Sequence, residues 1–312
     1  LKKTFYLILM LGLVACHRLV NENYRKGDNF MAAGRYDSAL VYYRLALEED
    51  TGNPGLLTNL AICRYYLDDL DTALRLARQA SALPWEDQRP RLVYAEILLE
   101  AGQTARADSV LNLVRQADST LPMYWYLRSV WAGRTGRIAE SLNWINKALE
   151  AEPSTLPFLL QQARAYVWNR QWDEGIYRYT RLIRNDSANA GLFNNRGYAK
   201  LMAGMKEPAL SDLGKALQLN GELVPAWNNY ALALWMTGDT AGGKDIIDSL
   251  IHSGAANATS FLYGAYFFLK SQDTTNACHF LERAKACIIS PLPPVADSLR
   301  ELSCPPAFKK PR

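Results

Sequence analysis

Residues 193–216, FNNRGYAKLMAGMKEPALSDLGKA, read as two helices joined by a tight turn. Gly204 stands where a helix needs a left-handed residue to end on. Beyond it, Ala209, Leu213 and Ala216 are spaced to line one face of a second helix. Gly197 and Ala209 are small, which lets two helix backbones approach closely. Stepping outward from Ala209 by 34 residues gives Ala39, Ala73, Ala107, Ser141, Gly175, Gly243 and Ala277, every one of them small. A second column through Gly197 holds the same phase: Gly27, Ala61, Ala95, Ser129, Ala163, Ala231 and Ala265. A column of mostly larger residues runs between them, through Tyr43, Ala77, Leu111, Ile145, Tyr179, Leu213, Ile247 and Leu281. Gly34, Gly102, Gly136 and Gly238 repeat the turn position of Gly204, whereas Asp68, Arg170 and Gln272 replace it and predict less regular turns. One hairpin cannot bury its own apolar face, so the hairpins must stack on one another.

This pattern resembles the tetratricopeptide repeat family, on residues 193–198 with Ala209 and Ala216, on Trp125, Gly136, Ile145, Ala148 and Pro153, and on Trp227, Ala231 and Gly238. The resemblance covers about residues 20 to 288. It implies an all-α fold, a right-handed α-solenoid of about eight 34-residue hairpins, with an array over 20–290. Pro291-Leu292-Pro293-Pro294 then interrupts regular structure, leaving Val295 to Leu302 for a short capping helix and Ser303 to Arg312 for a loose tail.

At the other end, Lys2 and Lys3 precede an apolar run from Phe5 to Val14, too short to span a bilayer as a helix. It reads as an export signal over residues 1–15. Leu13-Val14-Ala15-Cys16 resembles the lipobox of bacterial lipoproteins, which implies cleavage after Ala15, a diacylglyceryl group on Cys16, and a lipidated N-terminus over 16–19. His17, not Asp, follows Cys16, so the expected address is the outer membrane of a Gram-negative cell, facing the periplasm.

The chain has 312 residues, beyond the usual size of a single core, and a lengthwise array accommodates that length. Hydrophobic residues at 49% and charged residues at 21% describe a folded chain that is neither disordered nor membrane-embedded throughout. The formal net charge of +4, which falls by two without Lys2 and Lys3, is too small to attract nucleic acid non-specifically. Residues 238–245, GDTAGGKD, have the spacing of a phosphate loop. However, Asp245 replaces the magnesium-binding hydroxyl and no strand precedes it, so no nucleotide partner is expected. His17, His252 and His279 lack zinc-ligand spacing, and no Gly-x-Ser-x-Gly turn is present. The expectation is a protein without cofactor, metal site or catalytic residues. Cys63 reads as a buried small hydrophobe. Cys278 and Cys287 would lie about 13 Å apart on one helix. The proline-rich turn can bring Cys304 to Cys287, the expected disulfide, with free thiols as the alternative.

The face of the first helix of each hairpin is the expected binding surface. One of its columns runs Arg25, Asn59, Val93, Leu127, Gln161, Asn195, Asn229 and Tyr263, with amides in repeats five to seven. It resembles the asparagine ladder of the O-linked N-acetylglucosamine transferase repeats, which implies that Gln161, Asn194, Asn195, Asn228 and Asn229 hold a peptide backbone. An equally open reading is that asparagine there is a structural feature of the repeat. Tyr126, Trp168, Tyr198, Trp235 and Tyr266 add candidate apolar anchors. Leu160, Arg164, Asn195, Pro225 and Asn229 form an incomplete version of the family's two-carboxylate clamp, so an acidic C-terminal motif is not the expected ligand. The leading functional reading is a non-catalytic, lipid-anchored scaffold that binds a protein or peptide and assists assembly or secretion of a partner complex. The alternatives are a glycan- or peptidoglycan-binding accessory protein and an enzyme with an unrecognised site.

Overall fold

The computed structural model describes residues 22–285 together with 298, 299, 302 and 304. The expected export signal, Cys16, Cys287 and most of the expected capping segment and tail lie outside these residues. Among the described residues there are sixteen helices and no strand, and the fold is an all-α solenoid of helical hairpins. The helices fall into two compact units that divide between Gln161 and Gln162. The first unit holds α1 (Glu22–Ala32), α2 (Tyr36–Glu49), α3 (Pro54–Tyr66), α4 (Leu70–Ala82), α5 (Arg89–Glu100), α6 (Thr104–Ala117), α7 (Pro122–Arg134) and α8 (Ile138–Ala151). The division runs through α9 (Leu156–Trp168). The second unit continues with α10 (Trp172–Asn185), α11 (Ala190–Met202), α12 (Lys206–Leu219), α13 (Val224–Thr237), α14 (Thr240–His252), α15 (Ala258–Lys270) and α16 (Thr274–Lys285).

Odd-numbered helices are the A helices of the hairpins and even-numbered ones the B helices. Within a unit an A helix packs against the B helix of its own hairpin and that of the hairpin before it. It is therefore covered on two sides. The sequence reflects this: α5 buries every residue from Leu92 to Leu99, whereas α4 buries only Ala73, Ala77 and Ala80. Both small columns are buried at all sixteen positions. Their function as contact points is visible at Gly243, where a Cβ would stand 2.7 Å from the carbonyl oxygen of Ala231. It is also visible between Ser129 and Ser141, whose hydroxyls lie 3.0 Å apart. The intervening column is buried too, with Tyr43, Leu111, Ile145 and Leu213 at 0% exposure.

The turns lacking glycine are as regular as the others, contrary to expectation. Asp68, Arg170 and Gln272 adopt φ of 62°, 59° and 63°, beside 82° for Gly204. The pair of bonds that closes the Gly204 turn also closes these three. Asp68 N–H reaches Tyr65 O at 3.1 Å and Asp69 N–H reaches Arg64 O at 2.9 Å, matching Gly204 to Leu201 at 3.0 Å and Met205 to Lys200 at 2.9 Å. The packed hairpin and its two capping bonds hold an unfavourable left-handed residue in place.

The pairing of Cys304 also differs. It bonds Cys278, with the two Cα atoms 5.5 Å apart, not Cys287. Cys278 lies one turn from Leu281 on α16, and Leu281 and Ala284 of that helix pack with Leu262, Ala265, Leu299 and Leu302. Leu299 and Leu302 are seated in this cluster together with Cys304, which lies over Cys278. Cys63 is buried and free, and burial pushes its thiol up to about 12, which suits an inert packing role.

Candidate functional site

In the second unit the amides expected to hold a ligand are engaged with one another. Asn229 on α13 donates to Asn194 Oδ1 on α11 at 2.9 Å, and Tyr263 on α15 donates to Asn229 Oδ1 at 3.3 Å. Asn194 in turn donates to Asn195 Oδ1 at 3.1 Å. One chain of side-chain bonds thus joins three successive A helices. Asn194 and Asn229 are buried, Tyr263 is almost fully so, and Asn195 is half-buried and hydrogen-bonded to Tyr179. Burial raises the phenol of Tyr263 well above its ordinary value, which keeps it a neutral donor. Asn228 is fully buried and donates to Asn257 Oδ1 at 3.1 Å, tying α13 to the residue that caps α15. These contacts are those of a staple between repeats. Buried amides with such partners are costly to detach for a ligand.

In the first unit Gln161 is likewise buried, and its amide donates to Ser129 Oγ at 3.1 Å, extending the Ser129–Ser141 pair. The aromatic candidates are half-buried. Tyr126 stacks on Phe158 at 5.3 Å, Trp235 on Phe267 at 4.2 Å, Trp168 lies under Arg164 at 5.9 Å, and Tyr266 under Lys270 at 5.6 Å. Burial pushes the phenol of Tyr198 upward. Each expected anchor is thus partly spent on packing.

A more open constellation sits at the start of the first unit. Arg89, at the first turn of α5, donates to Asn59 Oδ1 at 2.8 Å on α3. The Asn59 amide lies 3.4 Å from both Tyr24 Oη and Asp28 Oδ1 on α1, and Tyr43 donates to Asp28 at 2.6 Å. Burial raises the carboxyl of Asp28, while the Tyr43 hydrogen bond and the Arg89 charge act against that rise. A cleft of about 140 Å³ opens beside this cluster, lined by Tyr24, Gly55, Thr58, Trp85 and Arg89. Trp85 lies outside any helix, in the 83–88 linker, and is 47% exposed. Arg89, Tyr24 and Trp85 were not legible as site residues, because the small-residue columns that fix the repeat phase pass between them. The irregular linker Leu83-Pro84-Trp85-Glu86-Asp87-Gln88 is the signal that points to them.

The charged groups buried elsewhere are structural. Arg196 makes a two-pronged contact with Asp212 at 2.7 Å, and Lys200 approaches the same carboxylate at 2.7 Å. Arg128 binds Asp108 at 2.5 Å and Asn112 at 2.6 Å. Glu96 is buried with Oε2 unpaired, and burial plus the nearby Glu100 hold its carboxyl well above the ordinary range. Among the described residues no group of three His, Cys, Asp or Glu side chains is placed to hold a metal ion.

Residues 30–82 match the family model described as a tetratricopeptide repeat. A sequence relative is protein FlbA of Caulobacter vibrioides, 26% identical over 176 residues, which are 56% of this chain. The matched part is 29% of FlbA, so the chain spans well under half of that relative's length. Among solved structures, a chain of the APC/C hetero-tetramer Cut9–Hcn1 superposes with a TM-score of 0.61 at 15% identity, over 67% of this chain and 41% of that one. PilW, a type IV pilus biogenesis factor, superposes with a TM-score of 0.56 at 17% identity, over 67% of this chain and 96% of its own. With hairpins in one 34-residue phase and a segment at 30–82 that matches the tetratricopeptide repeat model, the described part of the chain has the tetratricopeptide-type fold of these structures.

Proposed function

We propose that the chain is a non-catalytic scaffold, held in the bacterial envelope by lipid on Cys16, that binds a segment of a protein partner on the A-helix face of its first unit. The observation that carries this reading is the cleft beside Trp85 and Arg89. An exposed indole supplies apolar area at small entropic cost, and an adjacent guanidinium supplies donors for a backbone carbonyl. Such a pair captures an extended segment without any chemistry being done on it. The lipobox supports envelope attachment, and the Cys278–Cys304 bond supports an oxidising compartment, where disulfides persist. Assistance in assembling or secreting an envelope complex is proposed by analogy with the pilus biogenesis factor of the same fold, and the outer membrane, periplasmic side, is the proposed address.

Affinity purification from detergent-solubilised membranes, followed by mass spectrometry, tests the reading. A stoichiometric protein partner, recovered at least severalfold less with Trp85→Ala at unchanged melting temperature, is the expected result. Retention of the chain on isolated sacculi without a protein partner would favour the glycan-binding alternative. Cys16→Ser should release the chain from membranes; a variant that stays bound after a salt wash with an unchanged N-terminal mass would overturn the anchor.

A further inference from the structure

The residue just before the Gly27 column is, from repeat to repeat, Lys26, Leu60, Tyr94, Arg128, Gln162, Arg196, Tyr230 and finally Gly264. Two of these residues show what the position does. Arg128 reaches from α7 to Asn112 on α6 at 2.6 Å, with the rings of Tyr124 and Trp131 at 5.4 and 5.3 Å. Arg196 reaches from α11 to Thr180 on α10 at 3.2 Å, with Phe193 at 5.5 Å. In each case a guanidinium on an A helix donates to one register position of the preceding B helix and lies against aromatic rings, with a carboxylate beside it: Asp108 on α6 for Arg128, and Asp212 on α12 of its own hairpin for Arg196.

Asn112 and Thr180 are followed in that register, 68 residues on, by Asp248 on α14. Here the acceptor is present and the donor is missing. Gly264 has no side chain, and could carry none without moving Phe280, whose ring occupies the place of its Cβ. A cavity of about 210 Å³ stands at this junction. Asp248 and Asp273 face it, and the stacked pair Trp235–Phe267 and the ring of Phe268 form its apolar wall. The Asp248 carboxylate makes no hydrogen bond or ion pair among the described residues, whereas Asp273 caps α16 through Asn276. Lys244 is exposed, with its ammonium 4.9 Å above the Phe268 ring, at the mouth of the cavity. Two carboxylates against one ammonium leave the lining with a net negative charge.

We propose that this cavity receives the guanidinium of an arginine side chain from a protein partner, which completes the last junction as Arg128 and Arg196 complete two earlier ones from within. Asp248 accepts from the guanidinium, the rings of Trp235, Phe267 and Phe268 flank its faces, and Lys244 swings aside into solvent. A planar, weakly hydrated cation suits such a site better than an ammonium, which keeps its water more strongly. The proposal rests on the scaffold reading only for the source of the arginine; the cavity itself is independent of the lipid anchor and of the cleft at Trp85.

The test is an NMR titration of the isotope-labelled full chain with N-acetyl-L-arginine amide, read at the Gly264 amide and the Trp235 indole N–H. Saturable shifts at both are expected, and the neutral citrulline analogue should bind at least about tenfold more weakly, since a hydrogen bond to a charged group is lost. Asp248→Asn should weaken arginine binding by a similar factor at an unchanged melting temperature, and Lys244→Ala should tighten it. No saturable shift, or equal binding of arginine and citrulline amides, would overturn the proposal even if Asp248→Asn fails to fold. Capture of a partner through Trp85 would survive that failure, so the two readings fall separately.

Discussion

The two units solve the same packing problem and use their polar side chains differently. In the second, Asn194, Asn229 and Tyr263 close on one another across three A helices, and Arg196, Asp212 and Lys200 neutralise one another inside a hairpin. In the first, Asn59, Asp28 and Arg89 also cross three A helices, but they end at a cleft with an exposed indole. A polar residue in an A helix is thus a staple when its bonds close on neighbouring repeats. It becomes a candidate contact only when the network reaches an opening. The amide column alone does not separate the two cases.

The largest expected effect breaks the closed network. Asp212 is 7% exposed in its side chain and faces two cations, so Asp212→Ala leaves both uncompensated and should cost about 3–5 kcal/mol in denaturant unfolding. In the first unit Asp108 is 36% exposed and faces one cation, Arg128, which also donates to Tyr124 and Asn112, so Asp108→Ala should cost less, about 1–3 kcal/mol. Equal losses would erase the contrast between a closed and an open arrangement. A smaller effect concerns Glu96. Its folded carboxyl is raised above the unfolded value, so the native state keeps a proton that the unfolded chain releases above about pH 4.3. Stability then falls as pH rises through that range, and Glu96→Gln should remove this slope. Melting curves at pH 5 and pH 8 should show the variant gaining on the wild type at the higher pH. A wild type and variant that run parallel would show Glu96 to be charged and paired. The smallest effects are at the left-handed turns, one in the first unit and two in the second: Asp68→Gly, Arg170→Gly and Gln272→Gly should each stabilise by about 0.5–1 kcal/mol. A loss at any of the three would mean that its side chain contributes more than the backbone strain costs.

The hairpin phase was legible because packing leaves no choice at the contact points. Gly197 and Ala209 are small for the same reason that Gly243 lies against the Ala231 carbonyl, and the spacing repeats that constraint. Turns without glycine were misjudged because composition reports preference, whereas two backbone bonds and a packed hairpin overrode it at Asp68. The disulfide was misassigned because sequence proximity favoured Cys287, while Cys304 is seated with Leu299 and Leu302 over Cys278. The candidate site was the least legible part. Asn195 and Asn229 were visible as a column, but Asn229 bonds Asn194, outside that column, because whether an amide bonds a neighbour or faces an opening depends on side-chain directions that a 34-residue period does not encode. Trp85 and Arg89 fall in and beside a linker where that period carries no information.

The central claim is that the second-unit amides hold repeats together. Denaturant unfolding of Asn194→Ala with Asn229→Ala tests it most directly. The double variant removes the Asn229–Asn194 bond and strands the buried Tyr263 hydroxyl, so the account predicts a loss of about 2–4 kcal/mol at an unchanged dependence on denaturant. A loss below about 0.5 kcal/mol, the range of ordinary surface changes, would contradict it and return these asparagines to the role of ligand contacts.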